Sequence, residues 1–376
     1  MKSSSDSSPA FTFSRRIRET PYEKRVMGQT PKSMTIYNNT PLMTVFRSPQ
    51  QDYEHLCEHV QIWDVSCERQ VEIAGGDAVK LVELITPRDV SKCEIGQCMY
   101  IPLVDENGGI VNDPILLRLN KEHFWLSIAD SNVLLWVKGI AYGMGYRTSI
   151  QDPDVNPLAI QGPRSDDLMV DLLGENIRKL PFFRFFRKTL AGTSFYIARS
   201  GWSGQGGFEI YLEECSKGLD LWDCIWDAGQ KYNIRAGCPN SIDRIERGLL
   251  SYGNDMTLAE NPFVCGLDRF ISRDKKAECM SSGALSKAYE QGTTHKLVYL
   301  LIPGKSLTPP RETWRVSDES GTTRGYLTSM AYSMRYGGNI AFATVEAQFS
   351  TPGQALFVEI DSDEQATATV LSEFRD

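Results

Sequence analysis

The stretch ARSGWSGQGGFEIYL (198–212) concentrates the residue types best suited to chemistry in this chain: four glycines, one tryptophan and a lone carboxylate in fifteen positions. The glycines fit a tight turn, and FEIYL after it alternates as a strand. Alternation puts Phe208, Ile210 and Leu212 on one face and Glu209 with Tyr211 on the other. A half-buried carboxylate needs donors. A ligand with an N–H/NH2 edge would supply them as a bidentate partner, and an arginine of the same chain would be the ordinary structural alternative.

Three further carboxylates, Asp105, Glu106 and Asp113, flank the turn of CMYIPLVDENGGIVNDPILLRL (98–119), two apolar runs that read as a β-hairpin. Asp113 is the candidate acid or base, although turns are acidic for ordinary reasons. His55 and His59 are four apart, a spacing that suits a metal, but no third ligand is visible and the reading is structural. LPFFRFFRKTL (180–190) interleaves four phenylalanines with three basic residues. In an acidic chain this is a partly buried strand rather than a platform for bases, with Arg187 or Arg184 free to meet a small anion. The sequence contains no P-loop, no G-x-G-x-x-G after a strand, no G-x-S-x-G and no H-E-x-x-H.

The elements that position these residues follow from periodicity. Leu56, Val60 and Trp63 suggest one helical face from Tyr53, VSCERQVEIAG (65–75) a strand, and GGDAVKLVELI a helix capped by Asp77. HFWLSIAD adds a strand and SNVLLWVKGIAYGMG a helix. PLAIQGPRSDDLMVDLLG runs from strand into helix, and SIDRIERGLLSYGND is read as a helix ending at Gly253. After about residue 276 come strand-sized pieces between Gly and Pro turns, the pattern of a small β-barrel or sandwich. The expected class is α+β, with antiparallel sheets and a C-terminal β-barrel domain. The expected domains are 1–66 with 149–275, 67–148, and 276–376.

The bulk numbers narrow the function. A chain of 376 residues with 40 basic and 48 acidic side chains, net −8, offers no global field for nucleic acid or a bilayer. No run of about 18 apolar residues occurs, and MKSSSDSSPA leads into no apolar signal segment. The expectation is a cytoplasmic protein with its nine cysteines reduced. Residues 1–32, in which SRRIRETPYEKRV crowds five basic residues into thirteen, are expected to be a solvated arm able to fold over a site.

RSGWSGQGGFEIYL resembles the G-Y-T-G-E-D-G-F-E segment of the aminomethyltransferase family, the glycine cleavage T-protein and its relatives. ITPRDVSKCEIGQCMYIPLVDENGGIVNDPILLRL resembles that family's hairpin, LAIQGPRSDDLM its I-Q-G-P strand, and SIDRIERGLLSYGNDM its R-L-E-x-G-L-x-L-Y-G-x-D helix. The likeness runs from about residue 33 to the end, and it implies a three-domain fold. Within the family, SRRIRETPYEKRV, SMTIYNNTPLMTVF, HVQIWDVSCERQVE and ARSGW resemble the dimethylsulfoniopropionate demethylases, which move a methyl group from a sulfonium to tetrahydrofolate.

The resemblance implies tetrahydrofolate as methyl acceptor, held by Glu209 and Tyr100, with Arg244 or Arg247 near its glutamyl tail. Trp202, Tyr211 and Tyr100 are the aromatic faces for a sulfonium, which makes no ordinary hydrogen bond. Arg16, Arg18, Lys32 or Arg187 could hold the donor's carboxylate. T-proteins carry consecutive carboxylates after the hairpin turn where this chain has Asn112 and Asp113, which fits a leaving group that departs as a neutral thioether. An N-methyl or O-methyl donor, a non-enzymatic folate-binding relative and a homodimer are left open.

Overall fold

The computed structural model describes residues 14–190, 192–308, 313–361 and 364–374. Its first sheet has six strands, in the order Phe185–Leu190, Thr193–Ala198, Gly207–Leu212, Asn156–Gln161, Gln61–Asp64 and Arg235–Ala236. All neighbours are antiparallel except the last pair. The expected alternation along Gly207–Leu212 holds. Phe208, Ile210 and Leu212 join a core with Leu168 and Met169 of the helix Ser165–Leu173 and Leu221, Trp222 and Ile225 of the helix Gly218–Gly229. Tyr211 faces the other way, into a second cluster with Cys98, Leu117, Trp125 and Phe185.

That second cluster joins the two sheets. The second sheet is antiparallel, in the order Ser149–Gln151, Gln70–Ala74, His123–Ser127, Ile115–Asn120 and Gln97–Tyr100. Its far face is covered by the helices Ala78–Ile85 and Val133–Gly143. The hairpin continues past it as Leu103–Val104 and Ile110–Asn112, whose tip docks on the following loop through Ile110 N–H to the Glu260 carbonyl at 3.0 Å. From His295 the chain closes a six-stranded barrel. The helix Ser241–Glu246 bolts it to the rest through Ile242 and Ile245 against Ile340 and Phe342.

Several expectations are corrected. The helix over Tyr53 is Pro49–Glu58, and Trp63 belongs to the strand Gln61–Asp64, because V-Q-I-W alternates buried β-formers. The strand expected at 65–75 is Gln70–Ala74, since residues 65–69 turn on Glu68 N–H to the Val65 carbonyl. The helix expected to reach Gly253 stops at Glu246, because Gly248 reverses the chain at φ +70. Asp77 makes no side-chain cap; it accepts from Arg147 and Lys80 instead.

Ser149–Gln151 joins the second sheet, just past the boundary expected at 148. From Ser14 the N-terminal segment is no solvated arm. Tyr22 is fully buried beside Trp222, Arg25 forks onto Asp223 at 2.6 Å and Arg18 pairs with Asp152. Residues 1–13 lie outside the described ones. Among the described residues, no helix is long and apolar enough to cross a membrane.

Candidate active site

The glycine-rich turn earns its composition by lying on one side chain. Gln161, fully buried, donates to the carbonyls of Ser200 and Phe208 and accepts from the Ser203 hydroxyl at 2.6 Å. A Cβ on Gly201 (φ +150) would stand 2.1 Å from the Gln161 amide, and one on Gly207 (φ +147) 2.2 Å from the Ile160 carbonyl oxygen. Only glycine fits both positions. From the other side Asp243 accepts from Gly204 N–H and the Gln205 amide, each at 2.8 Å, which fixes the turn against the helix Ser241–Glu246.

The strand that leaves this turn presents Glu209, 6% exposed. Its cross-strand partners on both sides are Ala159 and Ala198, so the carboxylate is flanked by small side chains. It accepts a short hydrogen bond from the Ser200 hydroxyl and one from Tyr211 at 3.3 Å. Burial pushes its pKa up, and the two hydroxyls offset part of that.

Two more carboxylates share the neighbourhood. Glu68, in the turn before Gln70–Ala74, is pushed well up by burial and then by the charges of Glu209 and Asp113. Asp113 is raised to about 7 by burial, against the opposing hydrogen bond from the Tyr100 hydroxyl at 3.1 Å. Tyr37 and Tyr252 stand close enough to feel the Asp113 charge, and burial raises both phenols. Among the described residues none of the three carboxylates lies within ion-pair distance of a Lys, Arg or His. Among the described residues, no arginine takes the partner's place that would have made Glu209 structural. Three desolvated acids without a counter-ion among the described residues form an electronegative well suited to a cation or an N–H edge.

Of the residues expected from the sequence, Glu209, Tyr211, Tyr100 and Asp113 fall in this region. Tyr211 is 1% exposed with its ring against Trp125, so it offers a hydroxyl to Glu209 rather than a face to a ligand. Trp202 is half-buried, and the Arg244 guanidinium carbon stands 5.8 Å from its ring centroid. Arg244 itself is committed elsewhere: it is buried, pairs with Asp255 at 2.8 Å and donates to Ser329 at 2.6 Å, tying helix to barrel. Its expected place at a glutamyl tail is therefore corrected, because the side chain is buried and both of its terminal nitrogens are engaged inside the protein. Arg247 lies across Gly204, where a Cβ would meet it at 2.3 Å. Arg187 is on the sheet's edge strand, paired with Glu213 at 2.9 Å.

Asn112 is a structural clip, donating to the Ala129 carbonyl and Ser131 and accepting from Ala129 N–H. Glu246 accepts from Tyr53 and Ser333. His55 contacts the Asn233 carbonyl and the ring of His59, and burial lowers its pKa to about 4. Sequence reasoning missed Glu68, Tyr37 and Tyr252, since a Glu in a turn or a lone Tyr has no local signature. It could have found Gln161, which sits inside the quoted LAIQGP.

The model of the GCVT N-terminal domain matches residues 26–275, and that of the glycine cleavage T-protein C-terminal barrel domain matches 295–374. The dimethylsulfoniopropionate demethylase of Ruegeria pomeroyi is 44% identical over 92% of this chain and 94% of its own. The aminomethyltransferase of Caldanaerobacter subterraneus subsp. tengcongensis is 28% identical over 84% of each. In fold, the chain is similar to the crystal structure of the glycine cleavage system aminomethyltransferase T from Bartonella henselae, with TM-score 0.83, 23% identity, and coverage of 94% and 96%.

Proposed function

The chain belongs to the aminomethyltransferase family, and from that premise we propose that it is a one-carbon transferase that moves a methyl group from dimethylsulfoniopropionate to tetrahydrofolate. The observation that carries this reading is Glu209, a buried acceptor held by two hydroxyls and unpaired with any cation among the described residues. It is preset for the amino edge of a pterin, whose two donors a carboxylate matches in the plane. The 44% identity to a dimethylsulfoniopropionate demethylase supports a sulfonium as the donor.

The chemistry asks little of the protein beyond alignment. The lone pair of folate N5 attacks the methyl carbon, the C–S bond breaks with its electrons going to sulfur, and the thioether leaves neutral. N5 becomes cationic and then gives up its proton. Asp113, raised to about 7 and hydrogen-bonded to Tyr100, is matched to accept it near neutral pH. Because positive charge passes from sulfur to nitrogen, the acceptor oxygens of Glu68 and Glu209 favour both ends of the displacement. The Trp202 ring supplies a face for the sulfonium beside Arg244. Nine unpaired cysteines support action in the reducing cytoplasm.

Incubation with tetrahydrofolate and dimethylsulfoniopropionate, followed by chromatography, tests the proposal: 5-methyltetrahydrofolate and 3-methylthiopropionate form in equal amounts. Methyl transfer from a betaine or a methylglycine, and none from the sulfonium, would overturn the choice of donor.

A further inference from the structure

Among the described residues the acidic well holds no cation, yet both reactants proposed above carry carboxylates, the propionate of the donor and the glutamyl tail of the folate. Their counter-charge has to stand outside the well. Tyr100, whose hydroxyl donates to Asp113, packs on Phe270 with ring centroids 4.6 Å apart. Two arginines share that phenylalanine: the guanidinium carbon of Arg88 is 5.0 Å and that of Arg269 4.7 Å from the ring centroid.

Arg88 is half-buried and anchored by one donor to the Tyr100 carbonyl; Arg269 is exposed on the short turn Asp268–Phe270. Arg25, Arg164, Arg178, Arg184, Arg187 and Arg244 all hold a carboxylate, but among the described residues neither Arg88 nor Arg269 has one within ion-pair distance. Two like charges against one ring repel, and the arrangement becomes favourable when an anion spans the two planar forks.

We infer that Arg88 and Arg269, spaced by Phe270, form a carboxylate-binding subsite beside the Tyr100–Asp113 pair. The inference rests on the functional reading above. The carboxylate has two possible sources, the donor or the glutamyl tail, and the ligands tested distinguish them.

Wild type, Arg269→Met and Arg88→Met are titrated calorimetrically with tetrahydrofolate, its triglutamate and dimethylsulfoniopropionate, with folding checked by circular dichroism. Arg269→Met is the decisive variant, because its side chain is exposed and stands on a short surface turn. A folate-tail subsite weakens the triglutamate about tenfold or more, the scale of one lost charge-assisted bond, and leaves the donor unchanged. A donor subsite weakens dimethylsulfoniopropionate by that factor and spares both folates. In either case the salt dependence of the affected Kd becomes shallower in the variant. If wild type binds these ligands and Arg269→Met binds all three within twofold, the subsite is refuted. If wild type binds none of them, the functional reading itself fails.

Discussion

Replacing Glu209 with Gln separates a ligand-binding carboxylate from a structural one. In the folded protein Gln keeps an oxygen for the Ser200 and Tyr211 hydroxyls, so the local bonding survives. The change also removes a desolvated charge and its repulsion with Glu68, so stability should hold or rise by about 1 kcal/mol. Binding goes the other way. Two charge-assisted bonds to a pterin edge, at ~1.5 kcal/mol each on the conservative side, amount to about 3 kcal/mol, or roughly 150-fold in Kd. Calorimetric titration of 5-methyltetrahydrofolate reports the loss of binding and a thermal melt the change in stability. Folate binding by Glu209→Gln within threefold of wild type would refute the reasoning. So would a melting point many degrees lower, which would show the carboxylate to be part of the scaffold.

Three further outcomes follow from the same geometry. Trp202→Leu raises KM for the sulfonium by roughly 5- to 30-fold, the scale of a cation–π contact of ~1–2 kcal/mol, and leaves folate Kd nearly unchanged in titration; equal losses for both ligands contradict the assignment. Asp113 folds with its carboxyl raised to about 7, so the stability carried by its neutral form is complete below the usual carboxylate range and is lost as pH rises through about 7. Denaturant unfolding at pH 5 and pH 8 therefore shows a smaller drop for Asp113→Asn than for wild type, and an equal drop removes Asp113 as its source. Arg244→Met leaves Asp255 buried without its partner and costs about 3–5 kcal/mol in denaturant unfolding; Arg244→Met with Asp255→Asn recovers part of that, and no recovery would mean the ion pair is not what holds helix to barrel.

How far the sequence reached depends on the range of the interaction. Alternation places Phe208, Ile210 and Leu212 opposite Glu209 and Tyr211 because the period of a strand is a local property, and the structure agrees residue by residue. The hairpin around DENGG, the helix Ser165–Leu173 and the terminal barrel are legible for the same reason. Where tertiary packing overrides local preference the reading slips. The helix expected to reach Gly253 breaks at Gly248, where a Cβ would stand 2.7 Å from the Tyr299 hydroxyl of the barrel. Tyr22, in a basic and outwardly solvated segment, is drawn into the core beside Trp222.

The sequence by itself determined the α+β order of elements, the glycine-rich turn and the presence of one carboxylate on the inner face of its strand, all written in spacings of a few residues. Only the tertiary structure decided that Glu68, Glu209 and Asp113, some 140 residues apart at the extremes, share one well, that Gln161 dictates the glycines, and that Arg244 belongs to Asp255. Charges couple through space, and desolvation depends on every atom that excludes water, so neither is encoded in any local window of the chain.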